Sequence, residues 1–122
     1  MKASLKKWYA SWGPDRLVLC WLGVWWLANV IQAGCTQLAN DEAYYHMFAE
    51  RLSWGYFDHP PMTALLVWLG ERLFGGELGV RFCFTLLQPL YLWVLWRLIR
   101  PAEATRRDAV LFVTIAAATL ML

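Results

Sequence analysis

The chain has 122 residues, a net charge of +2 and a mean hydropathy of +0.40, and 60% of its residues are hydrophobic. An ordinary soluble domain of this length would need far more polar surface, so the composition excludes that class. No nucleic-acid motif is present, and the basic residues flank apolar segments, so we expect no nucleic-acid partner.

The first long apolar segment lies near the N-terminus. Residues 17–40 form a run of 24 without a charged side chain, and as a helix this run would be about 36 Å long. The hydrocarbon core of a bilayer is about 30 Å thick. We therefore predict an N-terminal arm over residues 1–15 and a first transmembrane helix over residues 16–38.

The same segment can be compared with a cleaved signal peptide. A basic arm precedes an apolar run, and Ala33-Gly34-Cys35 is similar to a lipoprotein cleavage site. However, Gln32 occupies the position where that site requires Leu, and the run exceeds the usual length of about 7–15 residues. We therefore expect a retained helix.

Residues 39–77 form a loop in which two short amphipathic helices are predicted, over residues 41–53 and 61–74. Each is too short to span a bilayer, and each carries apolar side chains along one side, as interfacial helices do. The apolar side chains are Tyr44, Met47, Phe48 and Leu52 in the first helix, and Met62, Leu65, Leu66, Leu69 and Leu73 in the second.

A second transmembrane helix is predicted over residues 78–99, followed by a short loop over residues 100–108. Residues 109–122 are apolar again, but as a helix they would measure only about 21 Å. The predicted fold class is an all-α membrane protein with two complete transmembrane helices and the start of a third. We accordingly expect the chain to be one part of a longer protein.

The charges predict the orientation of these elements. Lysine and arginine lie in the arm and around residues 100–108, whereas the charged side chains of residues 39–77 are mostly acidic. Positive charge marks the cytoplasmic side of short loops. We therefore expect an integral protein of a bacterial inner (plasma) membrane, with a cytoplasmic N-terminus and residues 39–77 outside.

Asp41 and Glu42 begin the first loop helix. Adjacent residues point about 100° apart on a helix, so the two carboxylates cannot share one proton as a dyad. A carboxylate at a helix N-terminus stays ionised, and it could act as a general base toward a hydroxyl group. The alternative is that both residues only start the helix.

Asp58 and His59 precede the rigid Pro60-Pro61 corner. A carboxylate and an imidazole held there could bind a divalent cation or a phosphate. A solvated turn before the two prolines is the other interpretation.

The order of three motifs, DEAYY at residues 41–45, GYFDHPP at 55–61 and GELGVRF at 76–82, resembles the polyprenyl-phosphate-sugar-dependent glycosyltransferases. These include the protein O-mannosyltransferases and the aminoarabinose transferases of lipid A, which have the GT-C fold. The resemblance implies transfer of a sugar from a polyprenyl-phosphate donor to a lipid, glycan or protein acceptor on the external side. The alternative is a non-catalytic small membrane protein or accessory subunit that uses the same loop for binding.

The resemblance also implies roles for the first motif. Asp41 would be the catalytic carboxylate, Glu42 its substrate-orienting catalytic neighbour, and Tyr45 a substrate-binding residue.

For the later motifs, the resemblance implies a metal ligand at Asp58, with a divalent metal ion as the expected cofactor. His59 and Arg81 would bind the anionic donor. His59 departs from the pattern, because the aminoarabinose transferases place a lysine there. Implied partners are the polyprenyl-phosphate-linked sugar, membrane lipid, and the remaining transmembrane part of the enzyme or a partner subunit.

Overall fold

A computed structural model describes residues 13–120 of the chain, so most of the predicted N-terminal arm lies outside the described residues. Within them the chain is helical and contains no strand. The helices are α1 (Pro14–Cys35), α2 (Asn40–Glu50), α3 (Pro61–Leu73), α4 (Gly76–Ile99) and α5 (Arg106–Leu120).

Helices α1 and α4 are long and apolar enough to cross a membrane, judged by length and composition. In their most apolar windows only 17% and 22% of the residues are buried. A core helix of a soluble protein would bury most of such a window, whereas a membrane-spanning helix turns it toward lipid. These two helices therefore indicate an integral membrane protein.

The chain divides into two compact units, one formed by Met1–Trp25 with Pro89–Leu122 and the other by Trp26–Gln88. The core of the first unit consists of side chains from α1, α4 and α5, with Trp96 and Phe112 in ring contact at 5.3 Å between centroids. Asp15 accepts hydrogen bonds from the Trp96 indole and from Arg100, at 2.9 and 3.0 Å. These bonds join the start of α1 to the end of α4.

Helix α5 begins three residues before the predicted position, because Thr105 and Asp108 cap it. The Asp108 carboxylate accepts the Thr105 backbone N–H at 2.7 Å, which satisfies an amide that the helix itself leaves unpaired. The described 15 residues of α5 measure about 22 Å. A third membrane crossing stays a prediction.

The Trp26–Gln88 unit contains α2 and α3, which pack together around a small core of Ala49, Val67 and Val80. Tight contact between α3 and α4 depends on Gly70 and Gly79. A Cβ atom on Gly70 would lie 2.2 Å from the Gly79 carbonyl oxygen. The turn between the two helices uses the left-handed conformation of Gly76 at φ +67°.

Both ends of α2 differ from the prediction. The residue that precedes the helix is Ala39 rather than Asn40, and the Glu42 carboxylate accepts the Ala39 N–H at 2.8 Å. The helix ends at Glu50 instead of residue 53, because the Tyr56 hydroxyl lies 2.9 Å from the Phe48 carbonyl oxygen and terminates the helical hydrogen bonding there. Helix α3 ends at Leu73, one residue before its predicted end.

The predicted apolar sides of α2 and α3 point away from the core of this unit. Met47, Met62 and Leu73 are about 60% exposed, while the buried positions are small residues such as Ala49 and Ala64. Trp54 and Phe57, in the loop between the two helices, are also fully exposed. Contact of these side chains with a membrane interface stays a prediction.

Candidate functional site

The adjacent carboxylates Asp41 and Glu42 lie in different environments. Asp41 is exposed, and among residues 13–120 its carboxylate has no hydrogen-bond or ion-pair partner. Glu42 is held between the Ala39 backbone N–H and the guanidinium of Arg81. The helix therefore presents one free carboxylate and one fixed carboxylate, about 100° apart.

Arg81 of α4 connects three segments of the unit. Its Nε and Nη2 atoms donate to the two oxygens of Glu42 at 2.6 and 2.5 Å, in the bidentate geometry that a planar guanidinium favours. Nη1 donates to the carbonyl oxygens of Ala33 and Thr36, and Nη2 to that of Gln37, at 2.8–2.9 Å. These carbonyls belong to the end of α1 and the residues after it, where a helix leaves acceptors unpaired.

The ion pair changes the acidity of Glu42. The hydrogen bond from Arg81 lowers the pKa of this carboxyl below its ordinary value of 4.5, burial opposes that change, and the Ala39 N–H adds to it. Glu42 is therefore ionised throughout the physiological pH range. Such a carboxylate fixes the start of α2 and is poorly suited to take up a proton.

Asp58 and His59 are brought against α2 by an aromatic cluster. The ring of His59 lies 5.0 Å from that of Tyr45 and 5.9 Å from that of Tyr44, both in edge-on contact. The Tyr44 hydroxyl donates to Asp58 at 3.4 Å, and burial together with the Asp58 carboxylate raises the pKa of Tyr44 above 10.0. Two motifs that are separate in sequence therefore form one surface.

Asp41 lies on the same side of α2 as this surface. Residues three and four positions apart are neighbours on a helix, so Asp41 lies one turn before Tyr44 and Tyr45. The free carboxylate and the Asp58-His59 corner are accordingly on one face of the unit, whereas Glu42 lies on the face that contacts α4.

A divalent cation would find two protein ligands at this corner. The Asp58 carboxylate and the His59 Nε2 atom lie 3.5 Å apart. Among the described residues, no group of three or more His, Cys, Asp or Glu side chains could hold a metal ion. These residues alone do not complete a first coordination shell, which needs four to six ligands.

Comparison with known proteins identifies the family. Residues 58–122, just over half of the chain, match the family described as dolichyl-phosphate-mannose-protein mannosyltransferase. The chain belongs to this family. The match begins at Asp58 and includes Arg81, but it leaves α2 outside. No curated protein and no solved structure matches the chain.

In this mannosyltransferase-family chain, the predicted site residues form two groups. Tyr45, Asp58 and His59 lie together beside the face that carries Asp41, while Glu42 and Arg81 pair with each other. Arg81 was predicted to bind the donor, and that role stays a prediction. What the structure adds is a second role, because its N–H groups already bind Glu42 and backbone carbonyls.

The sequence analysis of this mannosyltransferase-family chain missed the pair of His46 and Glu71. The His46 imidazole and the Glu71 carboxylate are in direct contact and join α2 to α3. Both residues lie opposite the predicted apolar sides of their helices. A histidine and a glutamate on the polar sides of two helices joined by a short loop are the signal that could have indicated this contact.

Proposed function

We propose that the loop over residues 39–77 supplies catalytic residues of a membrane glycosyltransferase, which moves a sugar from a polyprenyl-phosphate donor to an acceptor hydroxyl. The acceptor is a lipid, a glycan or a protein, and the reaction takes place at the external face. The observation that carries the proposal is the difference between two neighbouring carboxylates at the start of α2. Glu42 is fixed by Arg81, whereas Asp41 is exposed and has no partner among the described residues. Membership of the mannosyltransferase family supports the sugar-transfer chemistry.

Asp41 is the proposed general base. Its oxygens have no partner among the described residues, so they are open to an acceptor hydroxyl. The acceptor hydroxyl loses its proton to Asp41 as its oxygen attacks the anomeric carbon. A carbon–oxygen bond forms there, the bond to the phosphate oxygen breaks with inversion, and polyprenyl phosphate leaves.

Glu42 takes a positioning role in this proposal. Through Arg81 it is joined to the end of α1, so the first turn of α2 is held against two spanning helices. A base is effective only when it is held within hydrogen-bonding reach of its proton. The ion pair supplies that rigidity one residue away from Asp41.

The Asp58-His59 corner is the proposed contact for the donor phosphate. His59 is packed against Tyr44 and Tyr45 and can donate a hydrogen bond to a phosphate oxygen from a fixed position. Asp58, which accepts from Tyr44, orients the imidazole from 3.5 Å. A divalent cation at this corner would neutralise phosphate charge, and it would need ligands beyond these two side chains.

The test measures sugar-transfer activity in membranes of cells that express the protein from its natural open reading frame. With radiolabelled polyprenyl-phosphate mannose as donor, Asp41→Asn keeps the size of the side chain but removes the base, so turnover should fall by about 10²-fold or more. Glu50→Gln is the matched control, because Glu50 is another exposed carboxylate of α2 without a partner among the described residues. Unchanged turnover in Asp41→Asn would reduce Asp41 to a residue that starts a helix. Donor binding without any transfer by the wild type would favour an accessory subunit.

The external location rests on the charge distribution and is tested separately. A topology reporter fused after Gly76 should report the external side, and one fused after Arg107 should report the cytoplasm. The reverse pattern would overturn the orientation and with it an external site.

A further inference from the structure

The loop between α2 and α3 forms neither helix nor strand, so its shape depends on the contacts of its side chains. Residues 51–60 are exposed except at two positions, Tyr56 and His59, which are half-buried. Phe57, the neighbour of Tyr56, is fully exposed. The two half-buried residues are therefore the points at which the loop turns back toward α2. In the proposed function His59 contacts the donor phosphate, whereas Tyr56 has no part.

The Tyr56 hydroxyl binds backbone groups at the end of α2. It accepts the Ser53 N–H at 3.0 Å. It also lies 2.9 Å from the carbonyl oxygen of Phe48 and 3.1 Å from that of Arg51, and it can donate to either. A single hydroxyl thereby serves backbone groups that the end of a helix leaves short of partners. The last turn of α2 and the residues after it are joined to one side chain of the loop.

The ring of Tyr56 belongs to the aromatic cluster that holds His59. It stacks on Phe48, with 4.1 Å between the centroids and 27° between the planes. Phe48 in turn contacts the rings of Tyr44 at 4.3 Å and of His59 at 6.1 Å. Tyr56 and His59, three residues apart in the loop, therefore meet the same ring of α2. A displacement of Tyr56 reaches His59 both along the loop and through Phe48.

The other restraints on the corner act at the far end of the loop. Pro60 and Pro61 fix the backbone where it enters α3. The Tyr44 hydroxyl reaches Asp58 at 3.4 Å, which is long for a bond between two oxygens. Neither restraint reaches the part of the loop next to α2. Without the Tyr56 hydroxyl, the loop would lose its polar attachment to the end of that helix.

We propose that Tyr56 is a positioning residue, which holds the Asp58-His59 corner in the arrangement that receives the donor phosphate. This role rests on the proposed function for the donor, and it requires no contact between Tyr56 and substrate. A loop that is already in its binding arrangement binds with full affinity, whereas a loop that is there for part of the time binds more weakly in proportion. Once donor saturates the site, the loop is in its binding arrangement in either case, and turnover is the same.

The first measurement observes the corner itself, without donor. The chain has two histidines, so the imidazole C–H signals in an NMR spectrum of the full, untagged chain in detergent micelles are those of His46 and His59. Three aromatic rings lie against His59, and their ring currents contribute to its chemical shift. Tyr56→Phe keeps the stacked ring and removes the hydroxyl. It should move the His59 signal toward that of an imidazole in solvent and leave the His46 signal in place.

Tyr91→Phe is the matched control. It removes the same hydroxyl from an exposed tyrosine of α4 in the other unit, and among residues 13–120 that hydroxyl has no partner. Both histidine signals should stay in place. The His46 signal also reports folding, because both signals would move together in an unfolded chain. If Tyr56→Phe failed to fold, Phe48→Leu would replace it, because loss of the ring that Tyr56 and His59 share should move the His59 signal alone.

The second measurement is the donor dependence of sugar transfer in membranes, with polyprenyl-phosphate mannose as donor. Tyr56→Phe should raise the half-saturating donor concentration by about three- to thirtyfold, the effect of losing one or two hydrogen bonds. Turnover at saturating donor should stay within about twofold of the wild type. In a His59→Ala background, Tyr56→Phe should change the half-saturating concentration by less than about twofold, because the group that it positions is absent. Tyr91→Phe should match the wild type.

Any of three results would overturn the proposal: an unchanged His59 signal in Tyr56→Phe, lower turnover at an unchanged half-saturating donor concentration, or an effect that adds in full to that of His59→Ala. The proposed function fails in other ways. If Tyr56→Phe moved the His59 signal but His59→Ala left the donor dependence unchanged, the donor contact would be wrong and the positioning of the corner would stand. If Asp41→Asn kept full turnover while Tyr56→Phe behaved as expected, only general-base catalysis by Asp41 would be wrong.

Discussion

Replacing Arg81 by lysine tests how much of the stability of the unit depends on the shape of the guanidinium. Lysine keeps the positive charge and about the same length, but it has a single nitrogen with three donors. Arg81 uses three nitrogens to reach Glu42 and the carbonyls of Ala33, Thr36 and Gln37. An ammonium group can remain beside Glu42, but it cannot serve all three carbonyls as well.

The size of the effect follows from the bonds that are lost. We expect the variant to lose about two hydrogen bonds that involve the charged group, each contributing about 1.5 kcal/mol. The Arg81 and Glu42 side chains are only 16% and 30% exposed, so water replaces the lost bonds incompletely. Arg81→Lys should therefore lower the free energy of unfolding by about 2–3 kcal/mol.

The measurement is reversible denaturant unfolding in detergent micelles, followed by tryptophan fluorescence. Arg97→Lys is the control on the same helix, because Arg97 is exposed and stacks on Trp93 at 5.6 Å, a contact that lysine can also make. The control should change the free energy of unfolding by less than about 0.5 kcal/mol. If the two variants were equally stable, the guanidinium geometry would have no structural role and the argument would be wrong.

Three further results are expected from the same unit. Gly79→Ala should destabilise the protein by more than about 2 kcal/mol in the unfolding assay, since its Cβ would lie 2.1 Å from a backbone oxygen, whereas Gly23→Ala meets nothing within 4 Å and should be neutral or slightly stabilising. Because folding lowers the pKa of Glu42, its contribution to the free energy of unfolding is complete above about pH 4.5 and is lost as the pH falls through the pKa of the folded state. The free energy of unfolding should therefore decrease less steeply with falling pH in Glu42→Gln than in the wild type. Asp58→Ala and His59→Ala should weaken binding of a polyprenyl phosphate in detergent, and a chelator should mimic Asp58→Ala only if a metal ion mediates the contact; equal affinity in all samples would leave the corner a solvated turn.

Long apolar runs made helices α1 and α4 predictable, because their length and composition suit a membrane span. The bounds were less predictable. Helix α1 ends at Cys35 rather than at residue 38. Arg81 binds the carbonyl oxygens of Thr36 and Gln37, which directly follow the helix. That arginine is more than 40 residues further along the chain, and no local pattern announces the contact.

The candidate site could be predicted only as a set of residue types. Asp41 and Glu42 are adjacent and similar in sequence, yet one is free and the other is fixed, and the difference depends on which one faces α4. Helical phase decides that, and phase is known only when the partner helix is placed. Polar residues also interrupt the apolar segment of α4 at a helical period, as Arg81 and Thr85 do, and this spacing can be recognised from the sequence.

The close contact of Gly70 with Gly79 restricts how this surface can move. Backbone meets backbone there without intervening side chains, and a left-handed glycine at position 76 sets the turn. Helix α3 consequently cannot rotate about the turn relative to α4 without breaking that contact. The Asp58-His59 corner, which directly precedes α3, is therefore attached to a helix whose other end is fixed to α4 through backbone contact.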